Sequence, residues 1–211
     1  MIYLIGAAPR CGKTTLAKVI SKKHKIPWIS SDTLEVIGRE YTNKKEYEKK
    51  YPYSHLRRKG GCRQNDIFYE TYSSREIMNV LKKQAKATEK AIDMMIACEI
   101  ADGNDYIIEG YHITPNFVKR MVGKYGKKNI QAVFLTKFDA EKFAVDVHKS
   151  TTPNDWLLVL TKKPETFVKV GKMVEMYSRD LEKSAKKYSY KVVCMDKSFK
   201  KQLGVAMKYL V

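Results

Sequence analysis

The opening segment MIYLIGAAPRCGKTTL constrains the fold of this chain more than any other stretch. Ile2, Tyr3, Leu4 and Ile5 form an apolar run. A turn of small residues follows and closes on Gly12-Lys13-Thr14, and an amphipathic pattern with Leu16, Val19 and Ile20 facing inward begins at once. A strand, a tight turn and a helix N-terminus in that order aim backbone N–H groups and the positive end of a helix dipole at one point. Such a point holds an anion. Ala8, Pro9, Arg10, Cys11, Gly12, Lys13, Thr14 and Thr15 therefore read as a cradle for a nucleoside triphosphate. Lys13 would reach the β/γ-phosphates and the Thr14 hydroxyl would hold Mg2+. Counting back from Gly12, the first glycine of G-x-x-x-x-G-K-[ST] falls on Ala7, which must then avoid the positive φ that glycine adopts cheaply.

At 211 residues the chain suffices for one α/β domain with a full core, read as a single unit over 1–211. Its apolar runs are too short to cross a bilayer. The first strand is read from residue 2, so no targeting segment is expected. Cys11, Cys62, Cys98 and Cys194 form no C-x-x-C pair, so reduced thiols and a cytoplasmic setting are expected. Cys11 lies inside the phosphate loop, where a bound triphosphate should shield it from alkylation. The net charge of +18 admits nucleic acid as a partner. The lysines, however, are spread over helix faces rather than gathered in a block, which is the ordinary pattern of solvated charge.

Apolar periodicity alternates strand and helix, the signature of a three-layer sandwich around a mostly parallel five-stranded sheet. Strands are expected near 2–6, 26–30, 105–109, 130–136 and 190–195. Helices are expected over 13–24, 74–101, from Thr114-Pro115 to Gly126, over 139–149, from Pro164 to Lys187 and over 199–210. Ser31 or Asp32 should cap a short helix carrying Leu34 and Ile37, and Thr152-Pro153 should open another. Ser73 and Glu76 have capping-box spacing, and Met94-Met95 reads as core filler. Residues 41–72 read as an irregular substrate-binding excursion, and 142–165 as a lid-like segment.

Several residues outside the loop carry candidate chemistry. Asp32, in ISSDTLE, follows the second strand and could orient an acceptor hydroxyl; its plainer role is a helix cap. Glu109, in YIIEGYH, ends the third strand beside the phosphate loop, where it could hold Mg2+ partly through water. Gly110 would let substrate approach closely, and His112 could donate to an acceptor phosphate or be structural. Arg57, Arg58 and Arg63 offer planar forks for an anionic acceptor, with a solvated basic loop as the alternative. Tyr69, Tyr72 and Arg75 could wall that pocket or pack at a helix start. No arginine occurs between Met121 and Ser178, so Arg179 is the first candidate to neutralise a transferring phosphate. Its alternative is an ion pair with Glu175 or Glu182. Asp196 and Lys197, in the turn after the last strand, could seat the adenine through backbone groups.

AAPRCGKT, ISSDTLE, a long helix and IIEGYHITP, in that order, resemble P-loop small-molecule kinases and look most like the 2-phosphoglycerate kinase-like group. The Glu-Gly-aromatic turn also resembles the Asp-Gly-aromatic turn of adenylate kinases. The resemblance implies ATP and Mg2+ as cofactors and a small-molecule acceptor. It departs at Ala7 and in the absence of lid arginines. Two other readings stand beside it. One is a kinase of a polynucleotide 5′-hydroxyl, a nucleoside or a nucleotide, motivated by the charge. The other is a GTP-binding regulatory protein, because Thr136-Lys137-Phe138-Asp139 resembles N-K-x-D; Asp139 is read more simply as a helix cap.

Overall fold

The computed structural model describes residues 1–211 and folds the opening run as β1 (Ile2–Ala7), followed by α1 (Lys13–His24) and β2 (Trp28–Ser30). Next come α2 (Ser31–Glu40), α3 (Lys44–Lys50), α4 (Pro52–Leu56), α5 (Asn65–Thr71) and the long α6 (Ser74–Ala101). β3 (Tyr106–Gly110), α7 (Pro115–Tyr125), β4 (Ile130–Thr136), α8 (Ala140–Val147) and α9 (Trp156–Val159) follow. The chain ends with α10 (Pro164–Lys187), β5 (Lys191–Cys194) and α11 (Phe199–Lys208). All strands are parallel, in the order β2-β3-β1-β4-β5, with helices on both faces. A parallel sheet covered on both faces needs continuous apolar strands rather than alternating ones. IYLIGA, YIIEG and IQAVFLT satisfy that need, and Ile2, Leu4, Ile5, Ile107, Ile108 and Phe134 are fully buried.

Register then fixes the site. Ile5 pairs with Glu109, Gly6 with Gly110, and Ser30 with Glu109, so the ends of β1, β2 and β3 finish at one level. β1 lies centrally, and ligands of open α/β sheets bind at such carboxyl edges. Gly6 is needed there: a Cβ would overlap the Ile113 carbonyl and the Phe134 ring.

α6 begins with the expected capping box, in which the Ser73 side chain accepts from Glu76 N and Glu76 accepts from Ser73 N at 2.8 Å. Its buried stripe runs through Ile77, Leu81, Gln84, Ala85, Thr88, Ile92 and Ile96. Met94 lies two residues out of phase with that stripe and is exposed, so it does not fill the core. Val19 is likewise exposed, because α1 buries Leu16, Ala17 and Ile20 instead. Ile37 also faces outward on α2.

Residues 41–72 are more ordered than expected of an irregular excursion. Asn43 caps α3 by accepting from Glu46 N at 3.0 Å, Pro52 starts α4, and α5 buries Phe68 and Tyr69. Tyr53, Tyr69 and Tyr72 surround Phe68 with ring centroids 5.6, 5.7 and 5.3 Å away. Aromatic packing therefore organises this segment. The 142–165 segment docks on it: Asn65 N donates to Leu160 O at 2.8 Å, and Lys162 N and Lys163 N donate to Asp66 at 2.9 and 3.2 Å. Its short helix starts at Trp156, capped by Asp155, rather than at Pro153. Asn154, at φ 50, is left-handed and breaks the helix before it can begin.

Candidate active site

The phosphate loop between β1 and α1 turns on two left-handed residues, Gly12 at φ 93 and Arg10 at φ 65. Ala7 remains in the strand, so alanine costs nothing at that position. Leu16 N bonds to Gly12 O at 2.9 Å, which starts α1 with no side-chain cap. The first N–H groups of the helix thus face the loop, the arrangement that receives phosphate. Lys13 Nζ donates to Ala8 O at 3.0 Å, curling its ammonium over the loop.

Arg10 holds a position most residues avoid because its guanidinium pairs with Asp155 at 2.7 Å, a carboxylate with 2 % of its side chain exposed. Nothing in the sequence links these residues. Arg10→Gly sets two effects against each other: relief of left-handed strain is worth roughly 1–2 kcal/mol, and leaving a buried carboxylate unpaired costs about 3–5 kcal/mol. The second wins. Arg10→Gly is expected to destabilise by about 2 kcal/mol in urea titrations, and Arg10→Gly with Asp155→Asn should recover most of that loss. Equal stability of Arg10→Gly and wild type would show that the ion pair contributes nothing.

Cys11 is fully buried behind the loop, and burial pushes its thiol up to about 11 against the opposing pull of Lys13 and Lys137. No nucleotide is needed to shield it. At pH 8 only about one thiol in a thousand is then ionised. Iodoacetamide should label exposed Cys98 and leave Cys11 unmodified with or without ATP, as read by peptide mass spectrometry.

Thr14 Oγ1 donates to Glu109 Oε1 at 2.8 Å, joining α1 to the end of β3. Glu109 is otherwise buried, so its second oxygen and the lone pairs of Thr14 form a small hard-oxygen set. Mg2+ takes one or two protein oxygens and completes its shell with phosphate and water; Thr14 and Glu109 fit that demand. No group of three or more His, Cys, Asp or Glu that could hold a metal occurs. Gly110 follows, and a Cβ there would overlap Ser31 Oγ, so its role is close packing of β3 against the start of α2. Ser30, not Ser31 or Asp32, caps α2 by accepting from Asp32 N at 3.3 Å. Asp32 is thereby left with 66 % of its side chain exposed at the same edge.

His112 is fully buried. Its Nε2 lies 2.8 Å from Glu35 Oε2 and its Nδ1 2.7 Å from Ser31 Oγ, with Asp32 Oδ1 3.7 Å from Nδ1. A carboxylate only accepts, so Nε2 carries the proton. Tyr111 OH also donates to Glu35, Gln84 donates to Tyr111 OH at 3.2 Å, and Ser54 N donates to Gln84 Oε1 at 2.9 Å. Burial pushes the Glu35 carboxyl up, but the hydrogen bonds from His112 and Tyr111 outweigh it and hold the group below the usual range. Sequence reasoning singled out His112 but missed Glu35, Tyr111 and Gln84. The available signal was a polar Gln84 on the apolar face of α6.

Solved structures now bear on this geometry. A gluconokinase from Sinorhizobium meliloti 1021 is similar over 99 % of this chain and 90 % of its own, with TM-score 0.54 and 12 % identity. The fold is that of the P-loop small-molecule kinases. A shikimate kinase from Bacteroides thetaiotaomicron gives TM-score 0.48 at 15 % identity, covering 99 % of this chain and 94 % of that one. A dephospho-CoA kinase from Campylobacter jejuni gives 0.46 at 11 %, covering 98 % and 94 %. No protein-family model matches, and no curated protein matches in sequence.

Within this P-loop kinase fold the remaining candidates divide. Arg57 stacks on Phe68, its guanidinium carbon 4.7 Å from the ring centroid, and Nη2 donates to Arg63 O at 2.7 Å; buried Nη1 has no partner. Arg58 stacks on Tyr47 at 4.6 Å, and exposed Arg63 offers only its carbonyl to Arg57. Arg179 pairs with Glu175 at 2.8 Å on its own helix and lies over the Phe138 ring at 5.6 Å. Asp196 accepts from Phe138 N at 2.7 Å, pinning the turn after β5, and Lys197 is exposed beside it. Asp139 accepts from Lys142 N at 2.8 Å and caps α8. No helix is long and apolar enough to cross a membrane.

Proposed function

We propose that the protein transfers the γ-phosphoryl group of ATP to a hydroxyl of a small anionic acceptor. The observation that carries this reading is convergence: the phosphate loop, the Thr14–Glu109 pair and exposed Asp32 stand at the carboxyl edge of three adjacent strands. Mg2+ held at Thr14 and Glu109 would supply charge neutralisation between the phosphates. Lys13 would swing from Ala8 O to the β/γ-phosphates, and the N–H groups opening α1 would bind their oxygens. The acceptor oxygen attacks phosphorus, the bond to the β-phosphate oxygen breaks, and the hydroxyl proton passes to Asp32. Little covalent work falls to the protein; positioning and electrostatics dominate.

The anionic character of the acceptor rests on Arg57, whose buried Nη1 is unsatisfied. The Tyr53 hydroxyl is raised first by burial, then by Glu35 and Asp32, and Arg57 opposes them. Arg57 and Asp32 thus act on the same Tyr53 hydroxyl with opposite sign. Arg179 is held in its ion pair with Glu175 over the Phe138 ring and has no part in this reading. Four free thiols suit a cytoplasmic setting.

The test is ADP release from ATP and Mg2+ against phosphoglycerates, sugar acids, nucleosides, nucleotides and RNA 5′-ends. A small phosphorylated or carboxylated acceptor should support turnover, and Arg57→Ala should raise its KM more than it lowers kcat. Turnover confined to uncharged acceptors or RNA ends would overturn the anionic reading.

A further inference from the structure

The opposite edge of the sheet carries a groove of about 640 Å³ that the phosphotransfer reading does not use. β4 and β5 begin there, so parallel pairing puts the groove a strand length from the phosphate loop, on the order of 20 Å. Lys119, Lys127, Lys187, Tyr188, Tyr190 and Tyr209 line it, and no Asp or Glu does. The three lysines are exposed and form no salt bridge. A second groove at this edge, beside β3, contains Glu99 and Asp105, so a purely basic lining is not a general property of the edge.

The tyrosines form a stepped surface. Ser189 is left-handed at φ 58 between Tyr188 and Tyr190, whose ring centroids lie 6.1 Å apart at 55°. Tyr188 OH donates to Asn116 Oδ1 at 2.7 Å, fixing that ring against α7. Lys187 Nζ lies 5.8 Å from the Tyr188 centroid and Lys191 Nζ 5.4 Å from that of exposed Tyr209. Lysine ammonium groups beside tyrosine rings are the pairing that holds phosphate-linked bases, and Lys187 and Lys191 each cover one face of their ring.

We infer that this groove binds single-stranded nucleic acid, with Lys119, Lys127 and Lys187 on phosphates and Tyr188 and Tyr209 stacking on bases. The inference stands apart from the acceptor chemistry and needs no turnover. It gives part of the +18 charge a place to act.

The test is fluorescence anisotropy with labelled 12-nucleotide oligo(U) and oligo(dT). Three neutralised phosphates give a slope near −2 in log affinity against log salt, a loss of about 20-fold between 50 and 200 mM. Lys127→Glu with Lys187→Glu should weaken binding at least tenfold, and Tyr209→Ala about fivefold or more. All variants should keep the wild-type ATP-induced thermal shift, which separates a failed groove from a failed phosphate loop or a misfolded variant. Three outcomes would overturn the inference: affinity unmoved by the lysine reversals, loss with the lysines but not with Tyr209→Ala, or competition by UMP as strong as by the oligomer. The second would mean charge alone, and the third a free-nucleotide site.

Discussion

Lys13→Ala is expected to lower ADP release by a factor of about 10²–10³ while leaving the fold intact. In the protein without nucleotide, the Lys13 ammonium makes one hydrogen bond, to Ala8 O within its own loop. Losing such a bond costs on the order of 1 kcal/mol, a few degrees of Tm for a chain of this length. The loop is held instead by left-handed Gly12, by Thr14 on Glu109 and by Arg10 on Asp155. With triphosphate present, the same ammonium would face the γ-phosphoryl group, where charge moves during transfer and solvent is thin. Its removal should therefore act on transfer and on nucleotide affinity far more than on folding. Two measurements on one variant check this: turnover with the best acceptor, and the thermal shift produced by ATP and Mg2+. An unchanged ATP-induced shift together with unchanged turnover would place the phosphate site elsewhere.

The features that were legible in the sequence are those set by short-range rules. The three central strands of the parallel sheet are apolar runs, α6 announces itself through Ser73 and Glu76, and the phosphate loop is written in consecutive residues. Glu109 was legible as a carboxylate ending a buried strand beside the phosphate loop, where it accepts from Thr14. Side-chain partners brought together from distant segments were hidden. Arg10 meets Asp155 across most of the chain, and Glu35 meets His112 because β2 and β3 are neighbours in the sheet. Neither pairing leaves a periodic trace. The helices of 41–72 were hidden for another reason: their sequence is polar and aromatic, and α4 and α5 are stabilised by packing around Phe68 rather than by an apolar stripe of their own. Val19 and Met94 show the limit of reading phase from composition, since an apolar residue one or two positions off the stripe points to water.

The buried cluster around Glu35 is expected to carry the largest stability effect. Glu35 accepts from His112 Nε2 and Tyr111 OH, and Arg39 Nε lies 3.6 Å from its other oxygen. Through Gln84 and Ser54 the cluster reaches α6 and α4, and Tyr177 OH donates to Tyr111 O at 2.8 Å from α10. Glu35→Leu keeps much of the volume but leaves two buried donors without an acceptor. The expected loss is about 3–5 kcal/mol, which lowers Tm by roughly 6–20 °C. The pH dependence follows from the lowered carboxyl of Glu35. A carboxylate whose folded pKa lies below its unfolded value stabilises the protein above the unfolded pKa, near 4.3, and that contribution disappears as pH falls through the folded value. The stability gap between wild type and Glu35→Leu should thus be full at pH 7, persist at pH 5 and shrink below about pH 4, as read by urea titration at each pH. A gap that is constant across this range would mean that Glu35 acts by shape alone, and no gap at pH 7 would mean that the cluster is not holding α2 to β3.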